Sequence, residues 1–293
     1  MADAWQQISA VVSASVGEQL GAAMETSGAL AVTLIDAADE PIYEPPLGTT
    51  PLWAATCVQG LYSADVDFES LTGELTAILG LETVVWRVNT IADQPWERVW
   101  MDRFAPLSFG DRLWICPTHH DIPEQAQVVV HLDPGLAFGT GTHPTTSMCL
   151  NVLDATNVSN LDVIDYGCGS GILAIAALKL GANSVVGIDI DEQALTATRD
   201  NAARNGVESR LRTFGPDQFD PSAVDVVLAN ILAGPLVQLA PTLGAITKPG
   251  GLLVLSGVLA TQLESIVSAY KPEFDLAPPK QVEDWICISG RKR

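Results

Sequence analysis

Positive charge is scarce in this sequence. Fifteen Lys and Arg stand against 35 Asp and Glu, a formal charge of −20 over 293 residues, so an extended surface for a polyanion such as nucleic acid is disfavoured and a basic partner fits better. Paired cysteines are missing too. Cys57, Cys116, Cys149, Cys168 and Cys287 lie far apart, which excludes a zinc knuckle or a CxxC couple and points to reduced, mostly buried thiols. No apolar run approaches the ~20 residues of a membrane span. The opening Met1-Ala-Asp-Ala-Trp5 lacks a basic stretch followed by an apolar one, so no signal peptide is expected and the reading is a cytoplasmic protein. Internal repeats and low-complexity tracts are absent.

What is present suits a chain with a sizeable core: 47% hydrophobic residues and only 17% charged ones, enough for two domains. The charge is uneven. Through Ala92 there are twelve acids and one base, Arg87, giving −11, whereas the remainder carries −9 from 23 acids and 14 bases. The front part therefore projects a negative field, reaching over a Debye length of ~8 Å. This field either steers cations or simply keeps the protein soluble.

Residues 1–92 read as strand, helix, strand, strand, helix, strand, with strands near 6–13, 29–36, 52–61 and 83–90. Leu20, Ala23 and Met24 share one helical face, and Phe68, Leu71, Leu75, Ile78 and Leu79 share another. Asp67 is placed to cap the second helix and Gly80 to end it. That order is a split βαβ, or ferredoxin-like, α+β unit, expected to be a small acidic substrate-recognition domain. The Pro- and acid-rich 36–50 stretch reads as a loop. Residues 93–104 follow as a linker helix with Asp93 as cap, Pro95 in the first turn and Trp96, Trp100 and Phe104 as an aromatic stripe. The stripe serves either domain packing or substrate contact. Strands are expected at 113–117 and 127–132.

The third segment, residues 105–293, becomes regular from Asp162 onward. Strands at 163–166, 184–189, 211–214, 224–229 and 252–256, each separated by a helical run, argue an α/β fold with a parallel, doubly wound sheet. Tail strands near Phe274 and at 285–289 complete it.

The strongest chemical signal is Val163-Ile-Asp-Tyr-Gly-Cys-Gly-Ser-Gly-Ile172, an apolar strand running through a glycine loop into an apolar helix. Gly167, Gly169 and Gly171 are spaced GxGxG, which lets backbone approach a ligand that a Cβ would exclude. The dinucleotide fingerprint wants GxGxxG, and its third position here is Ile172. Asp165 precedes the loop, where it would repel a pyrophosphate but could hold the amino group of a sulfonium ligand. About twenty residues on, Asp189 ends a second strand, where an acid accepts hydrogen bonds from both ribose hydroxyls. Either acid alone could be a helix cap. In Val226-Val-Leu-Ala-Asn-Ile-Leu232 a polar Asn230 leaves an apolar strand at the ligand crevice, or else caps the next helix. No aromatic follows Asn230, so a flexible alkyl amine suits it better than a flipped base. Upstream, Asp133–Thr146 is dense in Gly, Thr and Pro and runs into a helix at 145–153.

The GxGxG spacing resembles that of class I S-adenosylmethionine methyltransferases. The segments at 133–146, 165–182 and 230–235, with Gly250–Gly257 and Ser289–Arg291, are together similar to the bacterial methyltransferases of the eleventh large-subunit ribosomal protein. The resemblance extends over essentially the whole chain. It implies a Rossmann-like catalytic domain behind a ferredoxin-like one, S-adenosylmethionine as methyl donor with no metal, and trimethylation of lysine side chains and the N-terminal amine of a basic ribosomal protein. It also implies cofactor contacts at Thr145, Gly167, Asp189 and Asn230, to which the reading of the loop itself adds Asp165, Gly169 and Gly171. Thr145 is reachable only through the resemblance.

No general base is assigned. Lysine has a reference pKa of ~10.4, and desolvation beside a sulfonium lowers it so that water can take the proton. His143, in the motif loop, is either such a base or a loop-ordering residue, while Asn230 orients the amine or the donor through its carbonyl. A methyltransferase of RNA or of a small amine is the nearer rival, and a nicotinamide oxidoreductase the more remote one. The chain is expected to work as a monomer without membrane or direct nucleic-acid contact.

Overall fold

The structure, a computed structural model, describes residues 4–40, 42, 49–80, 84–92, 105–133, 141–219 and 222–293. The expected linker helix at 93–104 and residues 134–140 of the 133–146 loop lie outside them. The chain divides into two compact units, 1–99 and 100–293.

In the first unit the elements are β1 (Ala4–Ser13), α1 (Ala14–Thr26), β2 (Ala31–Asp36), β3 (Ala55–Ser63), α2 (Phe68–Leu79) and β4 (Trp86–Ala92). The strands form an antiparallel sheet of order β2-β3-β1-β4, the order of a split βαβ unit. Alternation along β1 sends Ile8, Ala10 and Val12 into a core with Leu20 and Met24 of α1 and Leu71 and Leu75 of α2. Asp67 caps α2 by accepting the Glu69 and Ser70 amides at 3.1 and 3.2 Å, and Gly80 ends it at φ 63°.

The second unit opens with a small sheet, β5 (Leu107–Phe109), β6 (Leu113–Cys116) and β7 (Val128–His131). Helix α3 (Pro144–Ala155) leads into the main sheet. That sheet comprises β8 (Asp162–Tyr166), β9 (Ser184–Ile188), β10 (Leu211–Phe214), β11 (Val224–Asn230), β12 (Thr247–Leu259), β13 (Phe274–Leu276), β14 (Lys280–Val282) and β15 (Trp285–Lys292). Its order is β10-β9-β8-β11-β12-β15-β13, with β14 on β15. The five strands from β10 to β12 are parallel, as the regular alternation implied. The tail differs: β15 runs antiparallel between β12 and β13, so the sheet is mixed.

Between the strands lie α4 (Ile172–Lys179), α5 (Glu192–Arg204), α6 (Ala233–Ala245) and α7 (Leu263–Tyr270). Successive strand residues point to opposite faces, so Val163, Val226 and Leu228 pack with α3 and α4, while Ile164, Val227 and Ala229 pack with α6 and α7. A correction concerns the β10–β11 connection. Among its described residues there is one 3₁₀ turn, Pro216–Gln218, and no α-helix, because the segment is short and holds Pro216 and Pro221. Strand β5 was not expected either, being only three residues long. No helix among the described residues is long and apolar enough to cross a membrane.

Candidate active site

The site is built at the C-terminal ends of β9, β8 and β11, three neighbours in the sheet. From β8 the chain runs right to β9 on one side and, later, to β11 on the other, so the strand order reverses there and opens a crevice. Tyr166 lies beside Ile188 in one register and beside Ala229 in the other. The residues that follow, Gly167, Asp189 and Asn230, therefore emerge together at this edge.

Each loop glycine has a left-handed backbone: φ is 81° at Gly167, 55° at Gly169 and 79° at Gly171. A Cβ on Gly167 would stand 2.2 Å from Ile231 Cγ2, so the loop passes against the residue after Asn230 with no room for a side chain. The loop is held from three sides. Ile188 O accepts the Gly167 and Cys168 amides at 2.7 and 3.0 Å, Thr198 Oγ1 donates to Gly169 O at 3.0 Å and Asn201 Nδ2 to Ser170 O at 2.8 Å. Asp189 completes it, accepting the Gly169 amide on Oδ2 at 2.9 Å and the Asp191 amide on Oδ1 at 3.0 Å. A carboxylate has about four acceptor sites, so capacity remains for a diol. Helix capping falls to Asp191, which accepts the Gln193 amide at 2.9 Å.

Asp165 lies deeper than the sequence suggests. Its carboxyl is fully buried, with Oδ2 accepting the Ala174 amide at 3.0 Å near the start of α4 and Oδ1 without a partner. Burial raises its pKa to about 7, opposed by the Ala174 hydrogen bond and assisted by the charge of Asp189.

A cavity of about 350 Å³ is lined by His143, Thr145, Asn230, Ile231, Leu232, Gly257 and Trp285. It unites Thr145 and Asn230, whereas the glycine loop, Asp165 and Asp189 are not among its lining. The loop adjoins it through Ile231. Asn230 does not cap α6, whose N-cap is Leu232 with no side-chain hydrogen bond. Its Nδ2 instead donates to Thr146 Oγ1 at 3.2 Å, and its Oδ1 is buried with no partner. The Thr146 contact fixes one end of the amide and leaves the other without a partner. His143 is the N-cap of α3; its Nδ1 meets Thr145 Oγ1 at 2.7 Å and the Thr145 amide at 3.4 Å. Burial lowers the His143 pKa against the pull of Glu283, and its ring stands 5.0 Å from that of Trp285, centroid to centroid. These contacts favour the loop-ordering role.

Sequence reasoning missed Thr146, Trp285 and Gly257. An amide leaving an apolar strand needs a partner, a rule that could have flagged a nearby Thr pair, but Thr146 is 84 residues from Asn230. Gly257 has φ 82°, and a Cβ there would lie 2.3 Å from Ile231 O, so it too keeps the crevice open.

The geometry sets a side-chain-free glycine loop flanked by two acids beside an apolar pocket lined by Asn230. The family model described as ribosomal protein L11 methyltransferase (PrmA) matches residues 4–293. The chain belongs to this family. Similar ribosomal protein L11 methyltransferases include that of Pseudomonas aeruginosa (strain LESB58), 52% identical over 290 residues and covering 99% of both chains. That of Pseudomonas putida (strain GB-1) is 50% identical over the same length and coverage. Among solved structures, the ribosomal protein L11 methylase of Lactobacillus delbrueckii subsp. bulgaricus matches with a TM-score of 0.59 and 34% identity, covering 65% of this chain and 100% of that one. As an L11 methyltransferase, the chain is a methyl-transferring enzyme on a Rossmann-like class I fold, which agrees with the resemblance drawn from its motifs.

Proposed function

We propose that the enzyme transfers methyl groups from S-adenosylmethionine to lysine ε-amines and the N-terminal α-amine of ribosomal protein L11, up to the trimethyl state, as a cytoplasmic monomer. The observation that carries this is the buried, unpartnered Oδ1 of Asn230, fixed through Thr146 inside an apolar pocket beside a glycine cradle. The donor fits the residues present. The cradle excludes side chains at Gly167, Asp189 has acceptor capacity for ribose hydroxyls, and the buried Asp165 keeps one oxygen without a partner. When bound, S-adenosylmethionine supplies an electrophilic methyl on a sulfonium whose departure needs no metal.

The remaining work belongs to the chain. Gly167, Gly169 and Gly171 admit the donor, Thr145 closes its side of the cavity, and Asn230 Oδ1 accepts an N–H of the incoming amine so that the nitrogen lone pair faces the methyl carbon. Ile231 and Leu232 desolvate the ammonium, which lowers its pKa and releases the proton to water. His143, with its depressed pKa and its ring nitrogen engaged by Thr145, has no proton-transfer role in this scheme. The first unit, with −11 through Ala92, attracts the basic substrate, more than one of whose amines is methylated in turn.

The test is transfer of labelled methyl to purified ribosomal protein L11 and to ribosomal RNA, with wild type and Asn230→Ala. Label is expected on L11 amines alone, and Asn230→Ala should lower kcat about ten- to a hundredfold with an unchanged melting temperature. Label on RNA would replace the protein substrate, and full turnover in Asn230→Ala would remove the orienting role.

A further inference from the structure

The pocket contains an aromatic that the sequence around Asn230 lacks. Trp285 begins β15, pairs with Leu259 of β12, and lines the cavity together with Asn230, Ile231, Leu232 and Gly257. Only 8% of it is exposed. It is braced: the His143 ring lies against it at 5.0 Å and 68°, and His143 is itself held by Thr145. His143, Trp285 and Asn230 thus all line one space.

We infer that Trp285 is a specificity-determining residue for the number of methyl groups added, its indole holding the methylated ammonium that Asn230 can no longer hold. This rests on the reading of the pocket as an amine site.

The argument follows the nitrogen through three rounds. In each, a neutral amine attacks the methyl carbon, the carbon–sulfur bond breaks with its electron pair staying on sulfur, and the product is an ammonium with one more methyl. Rounds one and two end with loss of a proton to water, regenerating a lone pair, and the third gives a quaternary ammonium with none to lose. Asn230 Oδ1 is only an acceptor, so its hold weakens as each N–H is replaced and is gone at the last stage. The charge and the growing apolar surface remain. An aromatic face attracts both, the basis of quaternary-ammonium recognition by aromatic side chains. Late rounds therefore depend on Trp285, and the first on Asn230. A His143 ring kept neutral by burial adds no like charge beside that cation.

The experiment follows mono-, di- and trimethylated L11 by mass spectrometry with the full-length wild type, Trp285→Leu and Trp285→Phe, with donor affinity measured by calorimetry. Trp285→Leu is expected to accumulate mono- and dimethyl product, the ratio of third- to first-round rates falling roughly tenfold, while Trp285→Phe stays within about threefold of wild type. Donor affinity unchanged in both variants places the effect at the amine. On wild type alone, a trimethyllysine amide should inhibit roughly tenfold better than its neutral carbon isostere, in which C(CH3)3 replaces the N(CH3)3 group. A wild-type round ratio in Trp285→Leu, an equal loss in the Phe variant, or equal inhibition by the two isosteres would each overturn the assignment. If wild type transfers nothing to L11, the amine-pocket reading itself fails. If it trimethylates L11 and only these comparisons come out flat, Trp285 alone is dismissed.

Discussion

If Asp165 belongs to the donor site as proposed, it should couple that site to pH with two opposite signs. Its carboxyl titrates near 7 in the fold against ~3.9 in an unfolded chain, so between those values the folded protein binds the extra proton. Its contribution to stability is therefore full at low pH, falls as pH rises through the window and is lost above about 7. A cationic donor prefers the carboxylate, so its affinity should climb through the same window. Replacing Asp165 with Asn should flatten both, read as melting temperature without donor and donor dissociation constant from pH 5 to 8. Identical profiles in variant and wild type would remove Asp165 from the donor site. At Gly167 the expectation is steric: Gly167→Ala combines a positive φ with the 2.2 Å approach to Ile231, so calorimetry should find donor affinity about ten- to a hundredfold weaker. Residues with an intrinsic signature were legible in the sequence. Glycines at fixed spacing and acids at strand ends announce themselves because the backbone conformation or the strand terminus demands them. Thr146 and Trp285 carry no such mark, since their roles arise when α3 and β15 are brought to the end of β11.

At the scale of elements, local chemistry decided where helices start and stop. Asp67 and Gly80 mark the ends of α2 by side-chain capping and left-handed backbone, both readable without tertiary information. Asp67→Ala should thus destabilise the first unit by about 1 kcal/mol, measured as a lower denaturation midpoint, with donor affinity unchanged. If the midpoint does not move, the cap is not used in solution. What the periodicity could not give was strand direction. Apolar runs look alike whether parallel or antiparallel, so β15 read as another strand of a parallel sheet although it pairs antiparallel with β12 and β13. The loop between β10 and β11 was misread because the regular alternation before it set an expectation that Pro216 and Pro221 then broke. His143 caps α3 with a ring nitrogen, a residue type outside the usual Ser, Thr, Asp and Asn set, and so left no trace as a cap.

For the whole molecule, charge gives the clearest expectation. With −20 overall and the basic substrate proposed above, encounter should be assisted by a field that salt screens within about 8 Å at physiological ionic strength. Raising sodium chloride from low to ~0.5 M should increase KM for L11 several-fold and leave donor affinity nearly flat. Equal sensitivity of both would mean that the acids serve solubility alone. Composition suggests a boundary near Ala92, because only the segment before it combines many acids with a single base, while the compact units meet at Val99 and Trp100. The placement of β15 bears on how such an enzyme is made. It follows β12 and β13 in the chain yet must slot between them, so when the polypeptide has been made as far as β13 the residues of the glycine loop are all present while the sheet still lacks a strand. The strand bearing Trp285 is synthesised last, so the amine pocket proposed above should be the final part of the molecule to close.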